Sequence, residues 1–336
     1  MIIKKLLNDP ADFVDEALEG LLLAHPGHFA ADEQNPRVLV RSGGTPAGQV
    51  GIVTGGGSGH LPLFLGYVGP GLASAVAVGN VFSAQSSDAA LAAIRAADSG
   101  AGVLVLIGNY TGDRLNFELA ADLAEAEGRT VRIVRAADDV ASAPPERAGD
   151  RRGVAGIVFA YSCVGAAAAR GDALEDVVAV AERTIAATRT MGVGLSATVL
   201  PTTGRPSFEI GADEMEIGIG IHGEPGRVRG PLRPADDVAD DLLDSVAAEL
   251  GLVAGSRVAV LINGLGATSP EELYILARRV HHRLAALDVE VHRTLVGEFA
   301  TSMEMAGASI SVLALDNELT ALLDAPADSP LVPRGL

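Results

Sequence analysis

The sequence predicts an α/β protein of two domains, the first with a largely parallel sheet flanked by helices, the second smaller with a mixed sheet. Three observations carry this prediction. A chain of 336 residues exceeds the roughly 100–200 residues of an ordinary single domain. Through the first half, short apolar runs alternate with helical stripes, as in βαβ units. In the second half the alternation persists but is less regular. The division is expected near Met191, giving domains of residues 1–190 and 191–336.

The elements follow in order. Asn8-Asp9-Pro10 offers a helix start with Asp9 as N-cap, and Phe13, Val14, Ala17, Leu18, Leu21 and Leu22 form an apolar stripe. That helix should stop at His25-Pro26-Gly27. Strands are expected at Val38–Val40, Val50–Val53 and Gly71–Val78, then a helix from Asp88 to Ala97. Val103–Ile107 reads as a buried strand, Leu115–Glu127 as a helix and Val131–Val134 as a strand. Asp138 to Gly153 reads as an exposed polar loop, and Asp172 to Thr188 as a long helix. Beyond it, strands are expected at Leu195–Leu200 and, from strict alternation, at Glu214–Gly220. Pro234–Leu250 is helical, Val258–Ile262 a strand, and Ser269–Leu287 a helix capped by Ser269-Pro270. Strands at Val291–Val296 and Ile310–Leu315 and a helix at Glu318–Leu323 complete the chain.

Composition narrows the function. With 48% hydrophobic residues but only 4% aromatic and no Trp, the cores should be aliphatic. A net charge of −18 with no basic face argues against nucleic acid as a partner. No apolar run approaches the roughly 20 residues of a membrane helix, and Met1-Ile2-Ile3-Lys4-Lys5 lacks a signal-peptide core, so a cytoplasmic location without membrane attachment is expected. Cys163 is the single cysteine, which excludes an intrachain disulfide and suits a reducing compartment and a buried apolar role.

Three stretches can carry chemistry. Thr54-Gly55-Gly56-Gly57-Ser58-Gly59-His60 follows a strand pattern, and its glycines permit φ > 0 and close approach of a ligand. No Lys-Ser/Thr follows, so it is not a Walker A loop. Gly108-Asn109-Tyr110-Thr111-Gly112-Asp113 ends another strand, and taken alone Asp113 reads first as the cap of the helix that follows. Gly218-Ile219-Gly220-Ile221-His222-Gly223 matches GxGxxG formally, but Glu224-Pro225-Gly226 puts Pro225 where a phosphate-binding helix should begin. The stretch therefore offers a histidine held between glycines: a core residue, a metal ligand or a nucleophile. With His281-His282 among basic neighbours on a helix and no second ligand at suitable spacing, no metal site is expected.

These motifs occur in the order found in the dihydroxyacetone kinase family, and the chain resembles its substrate-binding K subunit. The likeness extends from Leu18–Pro26 through Asn263-Gly264-Leu265-Gly266 and Leu295–Phe299 to Leu322–Pro326. The resemblance implies that His222 adds covalently to the substrate ketone as a hemiaminal. It implies that Asp113 accepts the proton of the hydroxyl being phosphorylated and that His60 hydrogen-bonds substrate and assists proton transfer. Backbone around Gly56, Gly57, Ser58 and Gly59 would hold hydroxyls. It further implies a homodimer that binds no nucleotide itself. ATP or ADP with Mg2+ would sit on a separate L-type subunit, recharged by a phosphotransferase-system M-type protein or by exchange with ATP.

Two positions depart from the dihydroxyacetone-specific pattern. Leu61 stands where that pattern is acidic, and Gly108 where it has Lys. Both point to a paralogous group with another hydroxyketone, such as erythrulose. The family also contains ketone-sensing transcriptional coactivators, but a sensor needs only the covalent histidine, so His60 and Asp113 favour the kinase. The tail Leu331-Val332-Pro333-Arg334-Gly335 resembles a protease-cleavage linker and carries no functional weight.

Overall fold

A computed structural model describes residues 4–332. The start at Met1–Ile3 and the tail beyond Val332, where part of the linker-like motif falls, lie outside the described residues. The chain forms α1 (Phe13–Ala24), β1 (Phe29–Ala31), β2 (Val38–Arg41), β3 (Gly51–Ser58), β4 (Ala75–Val81), α2 (Ser87–Ala97), β5 (Val103–Gly108), α3 (Thr111–Ala126) and β6 (Val131–Ala136). It continues through α4 (Ile157–Arg170), α5 (Leu174–Ala186), β7 (Thr188–Gly194), β8 (Glu214–Ile217), β9 (Val228–Pro231) and α6 (Ala235–Leu250). β10 (Arg257–Gly264), α7 (Pro270–Ala286), β11 (Glu290–Gly297), β12 (Gly307–Ala314) and α8 (Asn317–Leu323) complete it.

Two mixed six-stranded sheets result, the two-domain α/β fold that was expected. The first has the order β1-β2-β4-β3-β5-β6, its β4-β3-β5-β6 portion parallel and β1 and β2 antiparallel at the edge. The chain goes from β3 to β4 on one side, then returns across β3 to β5. The carboxyl ends of β3 and β5 thus flank a topological switch point, where open α/β sheets form crevices. The second sheet runs β11-β10-β12-β7-β8-β9, and only β10–β11 is parallel. Aliphatic clusters fill the space beneath α2 and α3 and beneath α6 and α7. A third cluster joins α4 and β3 residues to Leu261 and Leu313 of the second sheet. Among the described residues, no helix is long and apolar enough to cross a membrane.

Several local expectations are corrected. α4 was not foreseen: Ile157 through Ala168 are all buried, so the helix lacks the polar stripe that betrays an amphipathic one. It packs against α5, α8 and β3. The Asp138–Gly153 segment is not simply exposed, because Asp138, Asp139 and Arg151 are buried and Arg151 makes a bidentate pair with Glu249 at 2.6 and 2.9 Å. The expected strand at Leu195–Leu200 is irregular; the strand is β7, just before it, beginning at Thr188, which had been read as the end of a helix. Asp9 does not cap α1 but accepts from Ala11 N at 2.8 Å in the turn ahead of it. The strand expected at Glu214–Gly220 ends at Ile217, and Gly218 turns away with φ of +83°. We propose that the domain division lies just before Thr188, since β7 forms its strand ladders within the second sheet and meets the first half only in a bridge from Thr190 to Asp139; α8 returns to pack on α4.

Candidate active site

The glycine stretch is strand rather than turn. β3 runs on through Gly55, Gly56, Gly57 and Ser58, and within the stretch only Gly59 has positive φ, at +101°. Glycine is required here by crowding. A Cβ on Gly55 would sit 2.6 Å from the Ala77 carbonyl, one on Gly56 2.4 Å from the Phe64 ring, and one on Gly57 2.7 Å from Ser83 N. The Ser58 hydroxyl donates to Gly79 O at 2.7 Å.

His60 follows, 2% exposed, and is clasped by the second half of the chain. Its Nδ1 lies 2.8 Å from the Thr301 carbonyl, which can only accept, so Nδ1 carries the proton and Nε2 is bare. Nε2 is buried without a partner. Thr301 N donates to His60 O at 3.2 Å, Thr301 Oγ1 to Leu61 O at 2.8 Å, and Met303 N to Gly59 O at 2.7 Å. The imidazole stacks on Phe82 with centroids 4.9 Å apart. Burial, reinforced by the charge of His222 and only partly offset by the Thr301 carbonyl and Glu224, pushes its pKa down to about 3. It is a neutral acceptor at any physiological pH.

His222 is delivered by the turn after β8. Glu224 folds back under it: Oε2 accepts from His222 N and Oε1 from His222 Nδ1, both at 2.9 Å. A carboxylate only accepts, so here too Nδ1 carries a proton, and in the neutral ring Nε2 offers its lone pair. Gly220 makes room for this arrangement, because a Cβ there would lie 2.1 Å from Glu224 Oε2 and 2.4 Å from Arg152 Nη1. Arg152 pairs with Asp139 at 2.8 Å, donates to Gly218 O at 3.1 Å and lies 3.9 Å from Glu224. Burial would raise the Glu224 pKa, but the His222 bond and charge, backbone donation and Arg152 together pull it down to about 2. Rings box the imidazole edge-on, with centroids at 4.8 Å for His60, 4.9 Å for Tyr110 and 5.3 Å for Phe82.

Asp113 is the third residue of α3 and does not cap it; Tyr110 holds the N-cap position and makes no side-chain cap bond. It is 7% exposed, and Oδ1 has no partner. Burial raises its pKa to about 7, against the opposing charge of His222. Desolvation likewise lifts Tyr110 well above the usual phenol range, so it stays protonated, its Oη buried and unpaired.

The three residues singled out in the sequence thus come from the ends of β3, β5 and β8, and two of them meet ring to ring. Glu224, Arg152, Asp139, Phe82 and Thr301 were not anticipated as site residues. Glu224 was readable, two residues beyond His222; Phe82 and Thr301 carry no sequence signal. Of the two departures, Gly108 is the nearer to the chemistry: a Cβ there would lie 3.2 Å from the Tyr110 ring. Leu61 is 47% exposed and lines an apolar cavity of about 400 Å³ beside α1, which the Gly56–Gly59 backbone and His60 also line.

Comparison with known proteins agrees with this architecture. Residues 19–331 match the Dak1 domain. The chain is 45% identical over 316 residues to the dihydroxyacetone-binding subunit DhaK of PTS-dependent dihydroxyacetone kinase 1 of Listeria innocua, covering 94% of this chain and 95% of that one. It is 43% identical over 334 residues to an L-erythrulose 1-kinase of Mycolicibacterium smegmatis, covering 98% of this chain but 58% of that protein. Among solved structures, the dihydroxyacetone kinase from C. freundii in complex with AMP-PNP and Mg2+ superimposes with a TM-score of 0.88 at 31% identity, over 97% of this chain and 60% of that one. The chain belongs to the Dak1 domain family.

Proposed function

We propose that this chain is the ketone-binding subunit of a hydroxyketone kinase and that it holds its substrate as a hemiaminal on His222. One observation carries the reading: the ionised Glu224 fixes the proton on Nδ1 of His222, leaving Nε2 bare inside a box of rings. Attack of Nε2 on the ketone carbon forms the C–N bond and moves the carbonyl π pair onto oxygen, which takes up a proton. Glu224 stabilises the resulting positive ring. No Schiff base follows, since the attacking nitrogen has no proton to lose. Glycerol, without a carbonyl, is rejected by bond formation rather than by hydrogen bonds alone.

The other groups serve the phosphoryl step. Asp113, half-ionised near pH 7, accepts the proton of the attacking hydroxyl. His60 accepts a hydrogen bond through Nε2, and backbone around Gly56–Gly59 holds hydroxyls. The nucleotide with Mg2+ is carried outside this chain, on an L-type partner recharged by ATP or by a phosphotransferase-system protein. The relative named as PTS-dependent and the additional length of the relatives that this chain only partly covers support that arrangement. A homodimer in the cytoplasm completes the reading, and the buried, unpaired Cys163 suits a reducing compartment.

Incubation with dihydroxyacetone, erythrulose and larger ketoses should add the ketone's mass to the intact protein, and His222→Ala should abolish the adduct. Absence of an adduct with every ketone overturns the covalent reading. Adducts without phosphate transfer, given an active L-type partner and ATP, would make the chain a sensor instead.

A four-carbon substrate is favoured by Gly108. Any side chain there presses on the Tyr110 ring, and Tyr110 touches His222. Gly108→Ala is expected to lower kcat/KM for erythrulose about tenfold more than for dihydroxyacetone. An unchanged ratio in a competition assay removes Gly108 as a determinant.

A further inference from the structure

The segment between β4 and α2 lines the site from the histidines to Asp113. Phe82 N donates to Ser58 O at 3.0 Å, and its ring stacks on His60. Ala84 sits against Gly112, where an added Cβ would lie 2.9 Å from Ala84 Cβ. Gln85 comes next, and its carbonyl accepts from Asn116 Nδ2 at 2.5 Å, one helical turn beyond Asp113. Its side chain is 1% exposed, yet neither Nε2 nor Oε1 has a partner. Both atoms are orphaned, so exchanging amide O and N would relieve nothing.

A buried unpaired donor or acceptor costs roughly 1–3 kcal/mol, and such atoms call for an explanation. Buried orphans recur around this site, His60 Nε2, Tyr110 Oη and Asp113 Oδ1 among them. The residues that carry those three gather around His222, where a ketone with its hydroxyls would sit, and a carboxamide is complementary to that chemistry. A hydroxyl that gives its proton to Asp113 still has lone pairs for an N–H donor, while a second hydroxyl can donate to an amide oxygen.

We propose that Gln85 is a substrate-binding residue whose carboxamide takes hydroxyls of the bound ketone at the Asp113 end of the site. The inference rests on the ketone-binding reading above. Nε2 donates to the hydroxyl awaiting phosphorylation and orients it toward Asp113, and Oε1 accepts from a neighbouring hydroxyl.

The test compares the parent protein with Gln85→Leu, titrating adduct formation with dihydroxyacetone and with hydroxyacetone, which lacks one hydroxyl. In Gln85→Leu the preference for dihydroxyacetone over hydroxyacetone should fall about 10–100-fold, because dihydroxyacetone loses one more hydroxyl contact. The variant's melting temperature should hold or rise, because an apolar side chain leaves no orphaned atoms. A retained preference overturns the assignment and makes Gln85 a structural residue. Gln85→Glu supplies a second reading: it removes the donor and adds charge near Asp113, so the pH profile of phosphate transfer should move to higher pH. An unmoved profile counts against the proposal. Absence of any adduct on the parent overturns the functional reading and this inference with it, whereas a normal parent with unchanged variants overturns this inference alone.

Discussion

Asp113→Asn is expected to leave the ketone adduct on His222 intact and to lower phosphate transfer by about 10²–10⁴-fold, the usual contribution of a positioned base. The isostere keeps the fit at the start of α3 but cannot take the hydroxyl proton. In the parent protein the transfer rate should climb with pH through about 7 and then level, because the working form is the carboxylate whose pKa burial has raised. The same raised value has a stability signature of definite sign. Folding lifts the Asp113 pKa from 3.8 to about 7, so the folded state holds a proton that the unfolded state releases. Stability is therefore lost as pH rises across that window. At pH 8 Asp113→Asn should be the more stable protein by roughly 2–4 kcal/mol, with the gain vanishing below about pH 4. Denaturation at both pH values checks this. Loss of the adduct along with turnover would show that Asp113 shapes the site instead.

Glu224→Gln is expected to have the second large effect, lowering adduct formation by about 10²–10⁴-fold, as when a histidine's orienting carboxylate becomes an amide. An amide can present N–H as well as oxygen, so the proton on His222 is no longer held at Nδ1. The charge that balances the alkylated ring is lost as well, and Arg152 faces one carboxylate, Asp139, in place of two. Mass titration with dihydroxyacetone gives the measure, and an adduct of parental affinity would remove Glu224 from the chemistry. Gly220→Ala serves as a geometric control. It removes no polar group but puts a Cβ 2.1 Å from Glu224 Oε2, which must shift, so it should weaken the adduct in the same direction.

What the sequence disclosed and what it hid follow from the kinds of signal involved. His60, Asp113 and His222 were legible because glycines punctuate strand ends, and strand ends are where such folds place ligands. The reason for those glycines was not legible. Gly55 to Gly57 looked like a turn, but they let Ala77, Phe64 and Ser83 approach an extended strand, a tertiary requirement that no local pattern encodes. α4 went unseen because burial on all sides erases periodicity. β7 was placed one segment late because Thr188 continues an apparent helix, and only pairing with β12 makes it strand. Glu224 stood in plain view but was weighed as part of a helix-breaking turn. Its role appears once the turn's two positive-φ glycines, Gly218 and Gly223, bring the carboxylate beneath the imidazole.

The seam between Gly59–Leu61 and Thr301–Met303 ties these properties together. Two of its four bonds run from main chain to main chain, and another is the contact that sets the proton on the His60 ring. Parting the two halves by a few ångströms would release Nδ1 of His60 and draw its ring away from His222 in a single motion. Integrity of the reaction centre and closure of the molecule are then one event, so amide exchange along Thr301 and Met303 would report how often the whole centre comes apart.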